Sequence, residues 1–381
     1  MYNSWAEISR SAILHNLKQY QRAVGRSVEV MPIIKSNAYG HGMVEIAKII
    51  SSKVRWLGVA SLGEALELRT NNIRKRILVV SYAQGRYLEK GIKQNIDLPV
   101  YNLSYAKLLS KVAVKIKKTA KVHVKIDTGT SRIGVLTKDA LKFIRSVNDL
   151  PNLKIEGVWS HFAASEDNQL YTKKQLKEFN TLLADLGKEG IKAPYIHFAC
   201  SAATLVEPKA HFNMIRLGVS LYGLWPSERV KKIALKNYHW FSLKPALTWK
   251  AKIIQVKEIS KGTKVSYGCT YAAKKKIKMA VLAVGYWEGY NRLLSNRGEV
   301  IVKGKRCPVI GRVCMNLTMI DVSKVKNVKA GDEVTLLGGL AYAKASTGKG
   351  VSAEELAEKI ETINYEVVTN INPLLERKYL K

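Results

Sequence analysis

Lys35, lying directly behind the apolar run of MPIIKSNAYGHG, is the first residue in this chain placed to do chemistry. Desolvation at a strand end lowers an ammonium pKa toward a nucleophilic amine, although a strand-end lysine more commonly carries its charge out to water. The residues after it shift that balance. Asn37, Tyr39, Gly40, His41 and Gly42 form a polar, glycine-rich loop that lets a ligand approach the backbone closely. Four later segments end apolar runs in the same way. KIDTGTSRIGV supplies Lys125, Asp127 and Arg132; WSHFAASED supplies His161; HFACSAAT supplies His197 and Ser201; MIRLGVSLYG supplies Arg216, Gly218 and Val219. Any one of these is an ordinary strand end, but together they are not only structural.

A second group lies toward the C-terminus. VSYGCTY places Tyr267 and Tyr271 around a glycine, GYWEGYNR holds Tyr286 and Arg292, and GRVCMNLTMID holds Met315. Tyrosines in glycine turns are often packing residues, so this group alone decides nothing. No HExxH, paired CxxC or two-histidine-one-carboxylate spacing is present, and no catalytic metal is expected.

The elements that must position these residues change character along the chain. Candidate strands Val30–Ile34, Trp56–Ser61, Arg76–Tyr82, Ile96–Tyr101, Lys121–Ile126, Ile155–Ser160, Tyr195–Phe198 and Met214–Val219 alternate with amphipathic stretches such as Gly63–Thr70, Leu103–Lys111, Lys138–Val147 and Tyr171–Lys188. Eight apolar strands alternating with helices predict an α/β fold with an N-terminal (β/α)8 TIM-type barrel, whose functional residues gather at the strands' C-terminal ends. From about Ser242, segments such as ALTWKAKIIQVKEI and GEVIVKGKRCPVIGRV alternate apolar and polar residues between glycine turns, the pattern of a mainly antiparallel β domain. Residues 8–241 are read as the barrel, and 242–381 with 1–7 as the β domain. The N-terminal segment through Leu17 has a polar, helical pattern, and a single short C-terminal helix begins at Ser352 with Glu355 at the capping-box position. The stretch at 338–350, ending STGKG, reads as a loop; Ala343 stands where a phosphate loop needs its leading glycine, and that reading is rejected.

Composition limits the function classes. The 381 residues, 47% apolar, suffice for about two domains with real cores. No apolar run approaches the roughly 20 residues of a membrane span, and the N-terminus lacks a secretory pattern. The four cysteines (Cys200, Cys269, Cys307, Cys314) sit in apolar, strand-like segments without paired spacing and read as buried free thiols, consistent with a cytoplasmic location. The 63 Lys and Arg against 30 Asp and Glu give a net charge of +33. That balance would favour polyanions, but the lysines are scattered, with no aromatic-interleaved basic stripe, so a solvated basic surface is preferred to specific nucleic-acid binding.

The chain resembles the alanine racemase family over essentially its whole length. IKSNAYGHG is similar to the family's pyridoxal-phosphate lysine motif and VSYGCTY to its second-base motif; DTGxxRxG, SHFA, RxGxxLYG, GYxxGYxR, GRVCM and TINYE follow in the family's order. The resemblance implies an isomerase that interconverts L- and D-alanine with pyridoxal 5'-phosphate, supplying D-alanine for peptidoglycan. Lys35 would be the Schiff-base lysine and Tyr267 the opposing base, each active site of a homodimer joining Lys35 of one chain to Tyr267 of the other. Tyr39, Ser201, Tyr365 and the backbone of Gly218 and Val219 would hold the phosphate, His161 would pack near the ring, and Arg216 would face the pyridine nitrogen. Arg132, aided by the backbone of Met315, would bind the substrate carboxylate, Lys125 would be carbamylated, and Tyr286, Arg292 and Tyr365 would line the entrance. The chain departs from the family's pattern at Cys200 (usually asparagine), Asn316 and Glu288 (both usually aspartate) and Thr130–Ser131 (commonly Met-Gly). These departures bear on substrate preference, and a broader amino-acid or serine racemase on the same scaffold is the nearest alternative.

Overall fold

The computed structural model describes residues 3–339 and 350–380. All of the 338–350 segment read as a loop, apart from its ends, lies outside them. The strands, in chain order, are β1 (Ser4–Ser9), β2 (Glu29–Pro32), β3 (Trp56–Ser61), β4 (Arg76–Tyr82), β5 (Ile96–Val100), β6 (Ala120–Asp127), β7 (Val135–Leu136), β8 (Leu153–Trp159), β9 (Tyr195–His197) and β10 (Met214–Leu217). They are followed by β11 (Leu247–Ile259), β12 (Lys264–Val265), β13 (Tyr271–Ala272), β14 (Ile277–Leu282), β15 (Glu299–Val302), β16 (Lys305–Pro308), β17 (Thr318–Asp321), β18 (Glu333–Leu337) and β19 (Glu376–Leu380).

Eight of these form a parallel barrel in the order β2-β10-β9-β8-β6-β5-β4-β3, and the parallel bridge from Ile33 to Gly58 brings β2 back against β3. Parallel strands covered on both faces need largely apolar runs, and the first four residues of β3, Trp56 to Val59, are apolar and buried at every position. The helices that cover the barrel include Leu62–Thr70, Leu103–Lys115, Thr137–Asn148 and Gln169–Lys188. Ser61 caps the first of them with a full capping box to Glu64.

The second sheet runs β16-β15-β18-β11-β1-β19, with β14 joining β11 to β17, and is antiparallel except for the β1–β19 pair. Two sequence expectations change here. Ser4–Ser9 is a strand of this sheet, and the helix begins only at Arg10, because Ser9 accepts the Ala12 amide as its N-cap. The C-terminal segment carries two short helices, Ala353–Lys359 and Asn364–Thr369, with the chain turning between them at Glu361, whose φ is 58°.

Candidate active site

The loop after β2 is held in an unusual conformation. Ser36, Asn37, Ala38 and Tyr39 have φ values of 54°, 54°, 53° and 52°, a left-handed turn built without glycine. Each such residue costs roughly 1–2 kcal/mol, so neighbours must fix the turn. Glu64 accepts the Ser36 amide at 2.6 Å and the Ala60 amide at 2.7 Å, and Asn37 Oδ1 accepts the Met43 amide at 3.0 Å. On the far side, Arg377 Nε donates to the Gly40 carbonyl and the Tyr379 hydroxyl to that of His41, so β19 clamps the loop from the second sheet. A Cβ at Gly40 would lie 2.1 Å from the Val368 carbonyl oxygen, which is why only glycine fits there.

Lys35 is half-buried at the head of this turn, and burial together with Arg132 depresses its pKa against the pull of Glu64. Lys125, on β6, is buried with its Nζ 4.5 Å from the centre of the Trp159 ring. Burial, reinforced by Arg216, Arg132 and Lys35 and opposed by Asp127, pushes its pKa down to about 7. Asp127 is occupied elsewhere: its Oδ1 accepts the amides of Gly129, Thr130 and Ser131 at 2.9, 2.9 and 3.1 Å. Burial would raise its pKa, but those amides hold it below the usual carboxylate range. Asp127 thus anchors the turn that presents Arg132, and Thr130 and Ser131 serve that turn.

Arg216, on β10, is buried and donates to His197 Nδ1 and the His197 carbonyl, both at 3.0 Å. It also donates to the carbonyls of Ser160 (2.7 Å) and Phe198 (2.9 Å) and to His161 Nδ1 (3.1 Å). Every acceptor is neutral. Burial pushes the Arg216 pKa down to about 10, which leaves it cationic at neutral pH. Burial first, and then Arg216, Arg132, Lys125 and Lys35, hold His161 well below the ordinary histidine pKa.

Beside Lys35, at the end of β10, hydroxyl groups gather around a glycine. Arg216 and Leu217 lie in register with Met31 and Pro32 of β2, and the Ile33 amide donates to the Leu217 carbonyl. The Gly218 amide donates to Ser201 Oγ at 2.9 Å, and a Cβ at Gly218 would lie 3.0 Å from the Tyr39 hydroxyl and 3.7 Å from Ser201 Oγ. Tyr365 reaches the same place from the C-terminal part of the chain, its ring 6.3 Å from that of Tyr39 and its hydroxyl donating to Glu166 at 3.2 Å. Two hydroxyls converging on a glycine backbone, with a third beside them, form a donor set that suits a phosphate.

The C-terminal group stands apart within one chain. Tyr267, between β12 and β13, is 72% exposed, and no hydrogen bond to its phenol is made among the described residues. Tyr286, Arg292 and Met315 are also exposed. Tyr286 and Trp287 amides donate to the Cys314 and Met315 carbonyls, tying two of the motif segments together. Glu288 and Asn316 form one unit: Asn316 Nδ2 donates to Glu288 Oε1 at 2.9 Å, and Glu288 Oε2 accepts the Gly285 amide at 2.8 Å. The amide at 316 thus removes the like-charge contact that two carboxylates would make.

Cys307 is buried, Cys200 and Cys314 are half-buried, and Cys269, expected inside a strand, is exposed on the turn that follows Tyr267. Sequence reasoning missed Glu64, Trp159 and Glu166, which are visible only once helix and strand ends are brought together. No group of three metal-ligating side chains occurs among the described residues, nor does any helix long and apolar enough to cross a membrane.

Comparisons with known proteins cover the whole chain. The family model for the N-terminal domain of alanine racemase matches residues 8–226, and that for the C-terminal domain matches residues 246–379. The alanine racemase of Methanococcus maripaludis is 42% identical over 379 residues, spanning 99% of this chain and 98% of that protein. A solved alanine racemase from Clostridium difficile superposes with a TM-score of 0.92 at 34% identity, covering 100% of this chain and 96% of its own. A solved histidine racemase from Leuconostoc mesenteroides superposes with a TM-score of 0.89 at 28% identity, covering 100% of this chain and 98% of its own.

Proposed function

The chain belongs to the alanine racemase family and is an isomerase of that class, and from that premise we propose that it interconverts L- and D-alanine with pyridoxal 5'-phosphate and two opposed bases, supplying D-alanine for peptidoglycan in the cytoplasm. The observation that carries this reading is the juxtaposition at the ends of β2 and β10: a desolvated lysine amine beside hydroxyls that close on Gly218. When bound, the cofactor supplies an electron sink that makes an amino acid's Cα proton acidic.

Lys35 holds the cofactor, while Tyr39, Ser201, Tyr365 and the backbone of Gly218 and Val219 hold its phosphate. His161 would pack against its ring and Arg216 would face its nitrogen. Because Arg216 donates only to neutral groups, its charge is not cancelled locally. An adjacent cation would disfavour protonation of that nitrogen, which would favour return of a proton to Cα over transamination. Arg132, with the backbone of Met315, binds the substrate carboxylate. Lys125 takes up carbon dioxide as a carbamate, its nitrogen bonding to the carbon and releasing one proton, and the new negative charge holds Arg132. Tyr286 and Arg292 line the entrance with Tyr365.

Lys35 serves one face of Cα, acting on D-alanine, and Tyr267 the other, acting on L-alanine. Tyr267 comes from a second copy, since in its own chain it is exposed and unbonded. We take residues 8–241 as the cofactor-binding unit, and 242–381 with 1–7 as the unit that delivers Tyr267 across a head-to-tail dimer.

The test is production of D-alanine from L-alanine by the purified holoenzyme, followed by chiral chromatography. Lys35→Ala and Tyr267→Phe proteins, each inactive, are then unfolded and refolded together. Random pairing makes half the dimers mixed, each with one intact site, so about a quarter of wild-type activity returns if sites are shared between chains. No recovery rejects the sharing. Because a histidine racemase has the same fold, a panel including serine and histidine defines the substrate; preference for either over alanine would move the reading to the broader class.

A further inference from the structure

Below Arg216, the barrel interior holds a line of polar side chains that the reaction as read above does not use. His197 Nε2 lies 3.0 Å from His123 Nδ1, and His123 Nε2 lies 3.3 Å from Asp97 Oδ2. Arg76 then donates to Asp97 Oδ2 at 2.6 Å and to Glu156 Oε2 at 2.9 Å. His123 and His197 are fully buried, and Asp97 is 1% exposed. Arg76, Asp97, His123, His197 and Arg216 stand on β4, β5, β6, β9 and β10, so the line crosses the barrel from the cofactor side to the opposite end. The fold makes room for it: Gly157 on β8 pairs with His123, and a Cβ there would lie 2.3 Å from His123 Nδ1. Trp159 stacks on His197 with ring centres 5.4 Å apart and an interplanar angle of 10°.

Donor chemistry fixes the direction of this line. A guanidinium only donates, so His197 Nδ1 accepts from Arg216 and the neutral ring carries its proton on Nε2. That proton points to His123 Nδ1, which must accept, and His123 in turn carries its proton on Nε2, facing the Asp97 carboxylate. Each ring donates away from Arg216. The opposite tautomers would set an N–H of His197 against an N–H of Arg216 where both side chains are buried. Burial first, and then Arg216 and His123, hold His197 well below the ordinary histidine pKa, in keeping with a neutral ring.

We infer that Asp97 is a positioning residue for Arg216, acting through His123 and His197: its carboxylate sets both histidine tautomers, and these keep the His197 Nδ1 lone pair aimed at the guanidinium. The consequence for catalysis rests on the function proposed above, whereas the tautomers do not.

The two are separated by measuring ¹⁵N-histidine-labelled protein with and without cofactor, with His123→Gln and His197→Asn used to assign signals. Unprotonated Nδ1 with protonated Nε2 in both rings is expected in each sample; the reverse tautomer, or a doubly protonated ring, overturns the inference. In the holoenzyme, Asp97→Asn should disturb the His197 signals and lower kcat about 10- to 100-fold, with KM changed less than about two-fold. Glu156→Gln touches the same Arg76 but lies off the histidine line, and should leave signals and kcat as in wild type. An equal kcat loss in both variants would mean ordinary disturbance around Arg76 and overturn the assignment, as would wild-type signals and kcat in Asp97→Asn. Should Asp97→Asn not fold, the wild-type tautomers decide. Expected tautomers in a protein that does not turn over alanine would reject the functional reading and keep the line.

Discussion

The two halves of the proposed chemistry are built by opposite means. The Lys35 side is assembled from the ends of several barrel strands. Its backbone is pinned by Glu64, Arg377 and Tyr379, and its cations are arranged around neutral acceptors. The Tyr267 side is an exposed turn between two two-residue strands, with an unbonded phenol. One half is complete within its own chain; the other presents a group to something outside it. The contrast teaches that local order and catalytic readiness need not lie in the same part of a molecule, and that the exposed tyrosine is informative because its own chain gives it no work.

The contrast predicts an asymmetry between two variants. Lys35→Ala should remove the visible absorbance of the lysine-bound cofactor and lower racemisation by roughly 10³- to 10⁴-fold. Tyr267→Phe should keep that absorbance, lower racemisation by roughly 10²- to 10³-fold, and leave the melting temperature unchanged, because no bond is lost within the chain. Absorbance spectra, chiral turnover and thermal melts measure all three. A Tyr267→Phe protein that racemises at the wild-type rate would break the comparison by removing Tyr267 from the chemistry.

A smaller effect probes how firmly the Lys35 half is held. Glu64→Gln replaces an acceptor-only carboxylate with an amide whose NH2 must face either the Ser36 amide or the amides of Ala60 and Ser61. The expected loss is about 2 kcal/mol, read as a lower denaturation midpoint at unchanged slope, together with weaker cofactor retention on dialysis. Were stability and retention both unchanged, the left-handed turn would need no clamp and the two halves would be held alike.

Legibility in the sequence follows the same division. The barrel strands were readable because burial on both faces demands continuous apolar runs, and β3 is observed at Trp56–Ser61 as read. β1 was not: its alternation in SWAEIS is too short to stand out against the helical pattern that follows it. The turn after Lys35 gave no signal, since left-handed backbone without glycine is imposed by tertiary contacts. Asp127 was legible as polar, but its role in holding the Arg132 turn depends on three amides that only the folded loop brings together. His123 and Asp97 are polar residues inside barrel strands that drew no reading from the sequence; their meaning lies in neighbours 74 and 26 residues away from His123.

A last prediction sharpens the comparison from inside the ordered half. Lys125 is buried among Arg216, Arg132 and Lys35, and its pKa is pushed down to about 7, whereas an unfolded lysine titrates near 10.4. Between those values the unfolded chain binds a proton that the folded chain does not, so stability rises with pH across that window; below about pH 7 both forms are protonated and the contribution is flat. Lys125→Met has no proton to lose, so its stability should rise less steeply from pH 7 to 10, by up to about 1.4 kcal/mol per pH unit. Denaturant unfolding in buffers stripped of carbon dioxide measures the two slopes, and equal slopes would mean that Lys125 is not a desolvated amine. Adding bicarbonate should then stabilise wild type and leave Lys125→Met unchanged, since a carbamate converts a neutral amine among several crowded cations into the negative charge that Arg132 lacks now that Asp127 is committed to its own turn. On that outcome the Lys35 half, complete in its hydrogen bonds, still takes one charge from solution, just as the Tyr267 half is proposed to take its partner from a second chain.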